Sequence, residues 1–172
     1  ISSDHVPFPL PDRPHALSQE WRNLTFMHWE VDPDKIKPYL PDGLELDLFE
    51  GKAYFGTIPF KMKNVRPRFF PAVPGISTFP EFNIRTYVTK NGIPGVLFLT
   101  LDAQSKITCW HAPRAYGLPY RYAKCNLKNK GNIFTWNSKR ISDGAMLEGE
   151  CKLIGKEMQA EINSLEYFLF ER

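Results

Sequence analysis

Cysteine is scarce in this chain: Cys109, Cys125 and Cys151 are the only three in 172 residues, spaced 16 and 26 apart. No CxxC pair, even-numbered framework or zinc-type spacing occurs, so neither a disulfide scaffold nor a cysteine metal centre organises the fold. Free thiols suit a reducing compartment, and a cytoplasmic protein is expected. Long hydrophobic runs are missing too. No stretch of 18 apolar residues exists, and Ile1 to Pro14 is polar and proline-rich, unlike a secretory leader, so no membrane partner is expected. There is no Gly-rich phosphate loop, no HExxH and no GxSxG, and no cofactor or metal is expected. Charge of one sign is also lacking: 22 Lys and Arg stand against 19 Asp and Glu, a net +3. The densest basic patch, Lys61, Lys63, Arg66 and Arg68, reads as a solvated strand end, and nucleic acid is not an expected partner.

Aromatic residues are plentiful. Thirteen Phe, seven Tyr and four Trp favour a sheet-rich, aromatic-lined interior. The length suits one domain, with residues 1–16 as an extended proline-studded arm and 17–172 as the folded unit. Residues 21–31 read as strand. Asp32-Pro33 supplies an N-cap and a first-turn proline for a short helix to about Leu40. Strands follow at 44–49 and 53–63, then a loop over 66–78 punctuated by Pro67, Pro71 and Pro74. A helix is expected over 105–116, kinked or ended by Pro113, and broken by Gly117-Leu118-Pro119. A second hairpin (120–128 and 132–140) and a strand over 145–154 complete a mainly β, antiparallel architecture with two or three short helices. The chain ends on LEYFLFER, inside an apolar, aromatic element, so further carboxy-terminal strands are expected to be missing and the sheet incomplete.

The segment Phe79 to Asp102 carries the chemistry. Asn91-Gly92 reads as a two-residue type I′ turn, which puts Lys90 opposite Ile93. Carried along both strands, that register makes one face apolar, with Phe82 facing Leu101, Ile84 facing Leu99 and Thr86 facing Leu97. The other face pairs Glu81 with Asp102, Asn83 with Thr100, Arg85 with Phe98 and Tyr87 with Val96. Opposed carboxylates in a sheltered place share a proton and supply an acid beside a base near neutral pH, so Glu81 and Asp102 are candidate catalytic groups. Arg85, with Asn83 and Tyr87 along the same face, is the candidate clamp for a substrate carboxylate. An ordinary solvent-facing Glu–Arg pair is the competing reading. Tyr120 can donate a phenolic hydrogen bond into the same space, or pack at a sheet surface. Arg114 shares a helix stripe with Ile107 and Trp110 and is a candidate second cation, with a snorkelling surface arginine as the alternative. His28, between Met27 and Trp29, reads as a hydrogen-bonded core histidine. Cys109 and His111, two apart on a helix, point away from each other and form no nucleophilic pair.

The phrases LTFMHWEVDPDKIKPYLPDGLELDLFEGKAYFGTIPF, VRPR, FPEFNIRTYV, NGIPGVLFLTLDA and GLPY, in that order, resemble the YqjF-like family, DUF2071. The likeness runs from Trp21 to Cys125 and more weakly to Arg172. That family is similar to the acetoacetate decarboxylase-like superfamily, which implies a cone-like β-barrel around a polar cavity. The resemblance also implies where a Schiff-base lysine would stand: directly after Gly117-Leu118-Pro119. Tyr120 occupies that position, with the cationic neighbour kept as Arg121. A phenol cannot form an iminium, so Schiff-base decarboxylation is not expected. Lys106 and Lys124 are nearby in sequence but at other positions.

Three functions stay open on the sequence. The first is a pocket for a small organic or oxo acid, bound by Arg85 and Arg121, with Glu81, Asp102 and Tyr120 moving protons in enolisation or hydration chemistry. The second is the same pocket without turnover. The third is a protein-interaction module working through the 66–78 loop. A homo-oligomer is compatible with each.

Overall fold

The computed structural model describes residues 12–171, so most of the expected 1–16 arm lies outside them. The strands are β1 (Leu17–Arg22), β2 (Met27–Val31), β3 (Glu45–Leu46), β4 (Ala53–Pro67), β5 (Phe79–Lys90), β6 (Ile93–Ala103), β7 (Tyr120–Lys130), β8 (Ile133–Arg140) and β9 (Met146–Lys152). The helices are α1 (Pro33–Ile36), α2 (Lys106–Tyr116) and α3 (Leu165–Phe170). A 3₁₀ turn, Lys37–Tyr39, extends α1 where Pro38 forbids a regular continuation.

All nine strands join one sheet in the order β1-β4-β5-β6-β7-β8-β9, with β2 also on β4 and β3 on β5. Every pairing is antiparallel except β6 with β7, which is parallel and is bridged by α2, the crossover a parallel pair requires. No ladder among the described residues joins β9 to β1, so the sheet is an open one. It nevertheless curls: the Thr25 hydroxyl and Cys151 sulfur meet at 3.7 Å, and Met27, Leu147 and Cys151 pack on one apolar cluster.

β4 is the spine. Its far half pairs with β1 and its near half with β2, and the chain breaks between those two strands at Asn23, which takes φ 55°. Pro59 lies opposite that break, where its missing N–H costs no ladder bond. The strand expected over 21–31 is thus two strands. Two apolar clusters cover the sheet's two faces. One gathers Ile58, Phe60, Met62, Phe79 and Ala103 with Trp21, Cys109 and Tyr120; the other gathers Phe82, Ala123, Cys125 and Trp136 with Met27 and Leu147.

α2 begins at Ser105, whose hydroxyl accepts from Thr108 N, and ends at Gly117 in the left-handed region, with its N–H on Pro113 O. Pro113 lies inside the helix without ending it. α2 buries Ala112 and turns Cys109 to the first cluster, while Ile107 and Trp110 face solvent at 55% and 63% exposure.

Candidate functional site

The β5–β6 hairpin closes through Asn91 and Gly92 at φ 53° and 76°, and Lys90 pairs with Ile93. From there the pairing runs as expected through Tyr87–Val96, Thr86–Leu97 and Arg85–Phe98. Leu99 is then an extra residue: Ile84 pairs with Thr100, and the register is shifted by one to the end of the hairpin. Glu81 therefore faces Ala103, and Asp102 faces Phe82 on the opposite side of the sheet. The expected Glu81–Asp102 pair is not formed. Asp102 instead accepts from Arg140 Nε at 2.9 Å, and Arg140 also reaches Asp143 and the Thr100 hydroxyl. Its carboxylate is committed to a structural ion pair.

Glu81, Asn83, Arg85 and Tyr87 do share one face of β5, as alternate residues must. All four are buried, at 2%, 0%, 6% and 0% exposure. The Tyr120 hydroxyl donates to Glu81 Oε2 at 2.9 Å, because β7 enters parallel to β6 with Tyr120 beside Leu101. Burial pushes the Glu81 carboxyl up from the ordinary 4.5 to about 7, against the Tyr120 hydrogen bond and the Arg85 charge, which pull it down. Burial, then the Glu81 charge, raises the Tyr120 phenol, so it stays protonated and a donor.

Arg85 Nε donates to Asn83 Oδ1 at 3.0 Å, which orients both groups. Asn83 Nδ2 and Arg85 Nη2 are then left buried without a partner. The guanidinium carbon lies 5.3 Å from the Phe98 ring centre and 5.8 Å from that of Phe26. Unspent buried donors are costly unless a ligand or water supplies acceptors.

Next along the row, Tyr87 gives its one hydroxyl proton to Leu169 O at 3.0 Å. The 2.7 Å contact with His28 Nε2 must therefore be donated by the imidazole, which fixes the Nε2–H tautomer. Burial and the Arg85 charge lower the His28 pKa to about 4, so it is neutral near pH 7. Gly56 makes room for it: a Cβ there would lie 2.7 Å from His28 Cδ2. Phe170 of α3 packs on Phe26 and His28, closing the Arg85 end of the row.

Two expected site residues are elsewhere. Arg114 is on the solvent face of α2, donating to Trp110 O at 2.6 Å, because the buried side of that helix is the Cys109–Ala112 side. Arg121 alternates away from Tyr120 and is exposed. Lys106 lies 5.7 Å from the Tyr122 ring centre, and Lys124 is exposed. Phe26 and Phe98, which flank Arg85, and Arg140, which holds Asp102, were not singled out by the sequence; only Phe98 carried a signal, its pairing with Arg85. The described residues hold no group of three His, Cys, Asp or Glu placed for a metal, and no helix long and apolar enough to cross a membrane. Hollows of about 390 and 240 Å³ lie elsewhere, and neither is lined by a residue of the row.

The model of the DUF2071 family, an uncharacterized conserved protein, matches residues 18–172. The uncharacterized protein YqjF of Bacillus subtilis (strain 168) is 37% identical over 164 residues, covering 95% of this chain and 68% of that protein. Among solved structures, the enduracididine biosynthesis enzyme MppR, complexed with the condensation product of pyruvate and imidazole 4-carboxaldehyde, superposes with a TM-score of 0.66 at 16% identity. That match covers 87% of this chain and 60% of MppR. An acetoacetate decarboxylase-like enzyme from Sphingomonas wittichii RW1 gives 0.60 at 15% identity, covering 80% and 58%. The acetoacetate decarboxylase of Legionella pneumophila gives 0.54 at 18%, covering 78% and 51%. The fold is acetoacetate decarboxylase-like, and the chain spans between half and three-fifths of these three structures.

Proposed function

We propose that this chain, which belongs to the DUF2071 family, binds a small 2-oxo or other organic acid along the Glu81–Asn83–Arg85 row and moves a proton on it. One observation carries the reading: two unspent N–H donors, Asn83 Nδ2 and Arg85 Nη2, are buried beside a carboxyl that titrates near pH 7. Such a row offers donors and a cation to an acceptor-only, anionic group. The ligand carboxylate takes Arg85 Nη2 and Asn83 Nδ2, and the carbon beyond the ketone, the methyl of pyruvate, lies toward Glu81. As carboxylate, Glu81 accepts the proton from the carbon next to the ketone: the C–H bond breaks, an O–H bond forms on Glu81, and the electron pair passes to the carbonyl as an enolate. Transfer of that proton from Glu81 to the enolate oxygen completes enolisation, and its return to carbon after exchange with solvent is what deuterium labelling reads. Tyr120 acts on Glu81 through its hydrogen bond and cannot form an imine with a ketone. A neighbouring fold that holds a product of pyruvate supports the oxo-acid class.

Pyruvate and acetoacetate are the probes. At a hundred times Kd, a ligand specific to the folded state adds about 2.7 kcal/mol, or a Tm rise of roughly 5–10 °C for a chain this size. Arg85→Ala should remove that rise. Glu81→Gln should keep it while abolishing deuterium exchange at the pyruvate methyl, read by NMR. No rise with any small carboxylate refutes the proposal. The packed cover over the row favours a second reading, a ligand sensor without turnover, which a rise without exchange would select.

A further inference from the structure

The loop after β4 is an apolar knob. Phe69 and Phe70 are 89% and 65% exposed, with Val73 and Ile76 at 48% and 44% beside them. It is a preorganised segment rather than a slack one. Pro67, Pro71 and Pro74 stiffen it, the Ser77 hydroxyl accepts from Val73 N at 2.8 Å, and Val65 N donates to Ser77 O at 3.0 Å. Phe69 takes φ 69°, a left-handed backbone that an aromatic residue rarely adopts.

A depression of about 390 Å³ lies elsewhere on the surface. Leu44, Val88, Ile93, Pro94, Gly95 and Val96 line it with mainly apolar surface, at the turn end of the β5–β6 hairpin. β3 pairs there for only two residues, Glu45 with Thr89 and Leu46 with Val88. The knob and the hollow sit at opposite ends of β5. From Phe79 to Lys90 that strand runs roughly 36 Å at about 3.3 Å per residue, so a chain's own knob cannot reach its own hollow. Charge differs between the two surfaces. Positions 61–78 hold Lys61, Lys63, Arg66 and Arg68 and no carboxylate of their own, with Glu20 of β1 opposite Lys63. Around the hollow, Glu45 follows Leu44 and Glu171 lines the adjoining depression, while Lys90 is itself among the lining residues.

We propose that the Phe69–Phe70 knob of one copy seats in the Leu44–Val96 hollow of a second copy. Two buried Phe side chains remove roughly 400 Å² on one side, about half of what each partner gives a standard interface, so association is weak and concentration-dependent. Because different surfaces meet, the contact is head-to-tail and builds a ring or a short chain of copies.

Light scattering after size exclusion tests this on the full chain. Wild type should exceed monomer mass as concentration rises from about 1 to about 500 µM, the range such an interface spans. Phe69→Asp with Phe70→Asp, and separately Ile93→Asp, should each hold the chain at monomer mass with an unchanged circular dichroism spectrum. All three positions are exposed, and Phe69→Ser with Phe70→Ser serves if the aspartates disturb folding. Mixed, the knob variant and the hollow variant should form a one-to-one heterodimer, since one intact knob meets one intact hollow. A wild type that stays monomeric, whether or not it sediments with anionic vesicles, overturns the proposal. So do variants that still self-associate, or a mixture that does not pair.

Discussion

Replacing Glu81 by glutamine isolates the cost of burying an acid. The side chain is 2% exposed and its pKa rises from 4.5 to about 7 on folding. The folded state therefore holds the proton more tightly than the unfolded chain does. Stability from this group is complete below about pH 4.5 and is lost as pH rises through 7. At 1.36 kcal/mol per pH unit, the loss between pH 5 and pH 8 is about 2.5 kcal/mol, taken over the part of the 4.5-to-7 window that lies in that range. The substituted amide keeps an acceptor for Tyr120 but has no proton to lose. Urea unfolding of both proteins at a series of pH values gives the two profiles, and all other titrating groups cancel in their difference. The variant should gain about 2.5 kcal/mol on the wild type between pH 5 and pH 8. Parallel profiles would show that the Glu81 carboxyl is hydrated and ordinary, and the acid–base role would fall with it.

Tyr120→Phe removes the donor that holds the Glu81 carboxylate, so the high-pH loss should extend to higher pH and deepen by about 1–2 kcal/mol at pH 8.5, read by the same unfolding series. Arg140→Ala strands the buried Asp102 carboxylate and should cost about 3–5 kcal/mol in urea at pH 7. Gly56→Ala forces a methyl against His28 and should cost about 1–3 kcal/mol while lengthening the His28–Tyr87 contact, seen as a shifted imidazole resonance. His28 acts in the opposite pH range: its depressed pKa gives stability present above about 6.5 and lost as pH falls toward 4. His28→Gln should flatten that acid limb by about 1–2 kcal/mol, a figure reduced for its partial exposure.

The turn end of the hairpin was legible because Asn91-Gly92 allows few geometries, and the pairing from Lys90 to Arg85 follows from it. The far end was not, because the bulge at Leu99 carries no glycine or proline to announce it. One inserted residue was enough to send Asp102 to the other face, where its partner Arg140 lies 38 positions away. Alternation alone put Glu81, Asn83, Arg85 and Tyr87 together, and their burial depended on elements distant in sequence: α2, β7, and the Phe170 ring over Phe26. Arg114 misled because Ile107, Trp110 and Arg114 mimic a buried stripe; the helix buries the small Ala112 instead, a residue with little hydrophobic signal.

A crystal structure of the protein grown with pyruvate at pH 6.5 addresses the β5 row most directly. The ligand carboxylate is predicted within hydrogen-bond distance of both Arg85 Nη2 and Asn83 Nδ2, with its methyl carbon turned to Glu81. Pyruvate seated only in the hollow lined by Leu44 and Val96, or a row whose two free donors stay unbonded at saturating ligand, would contradict it.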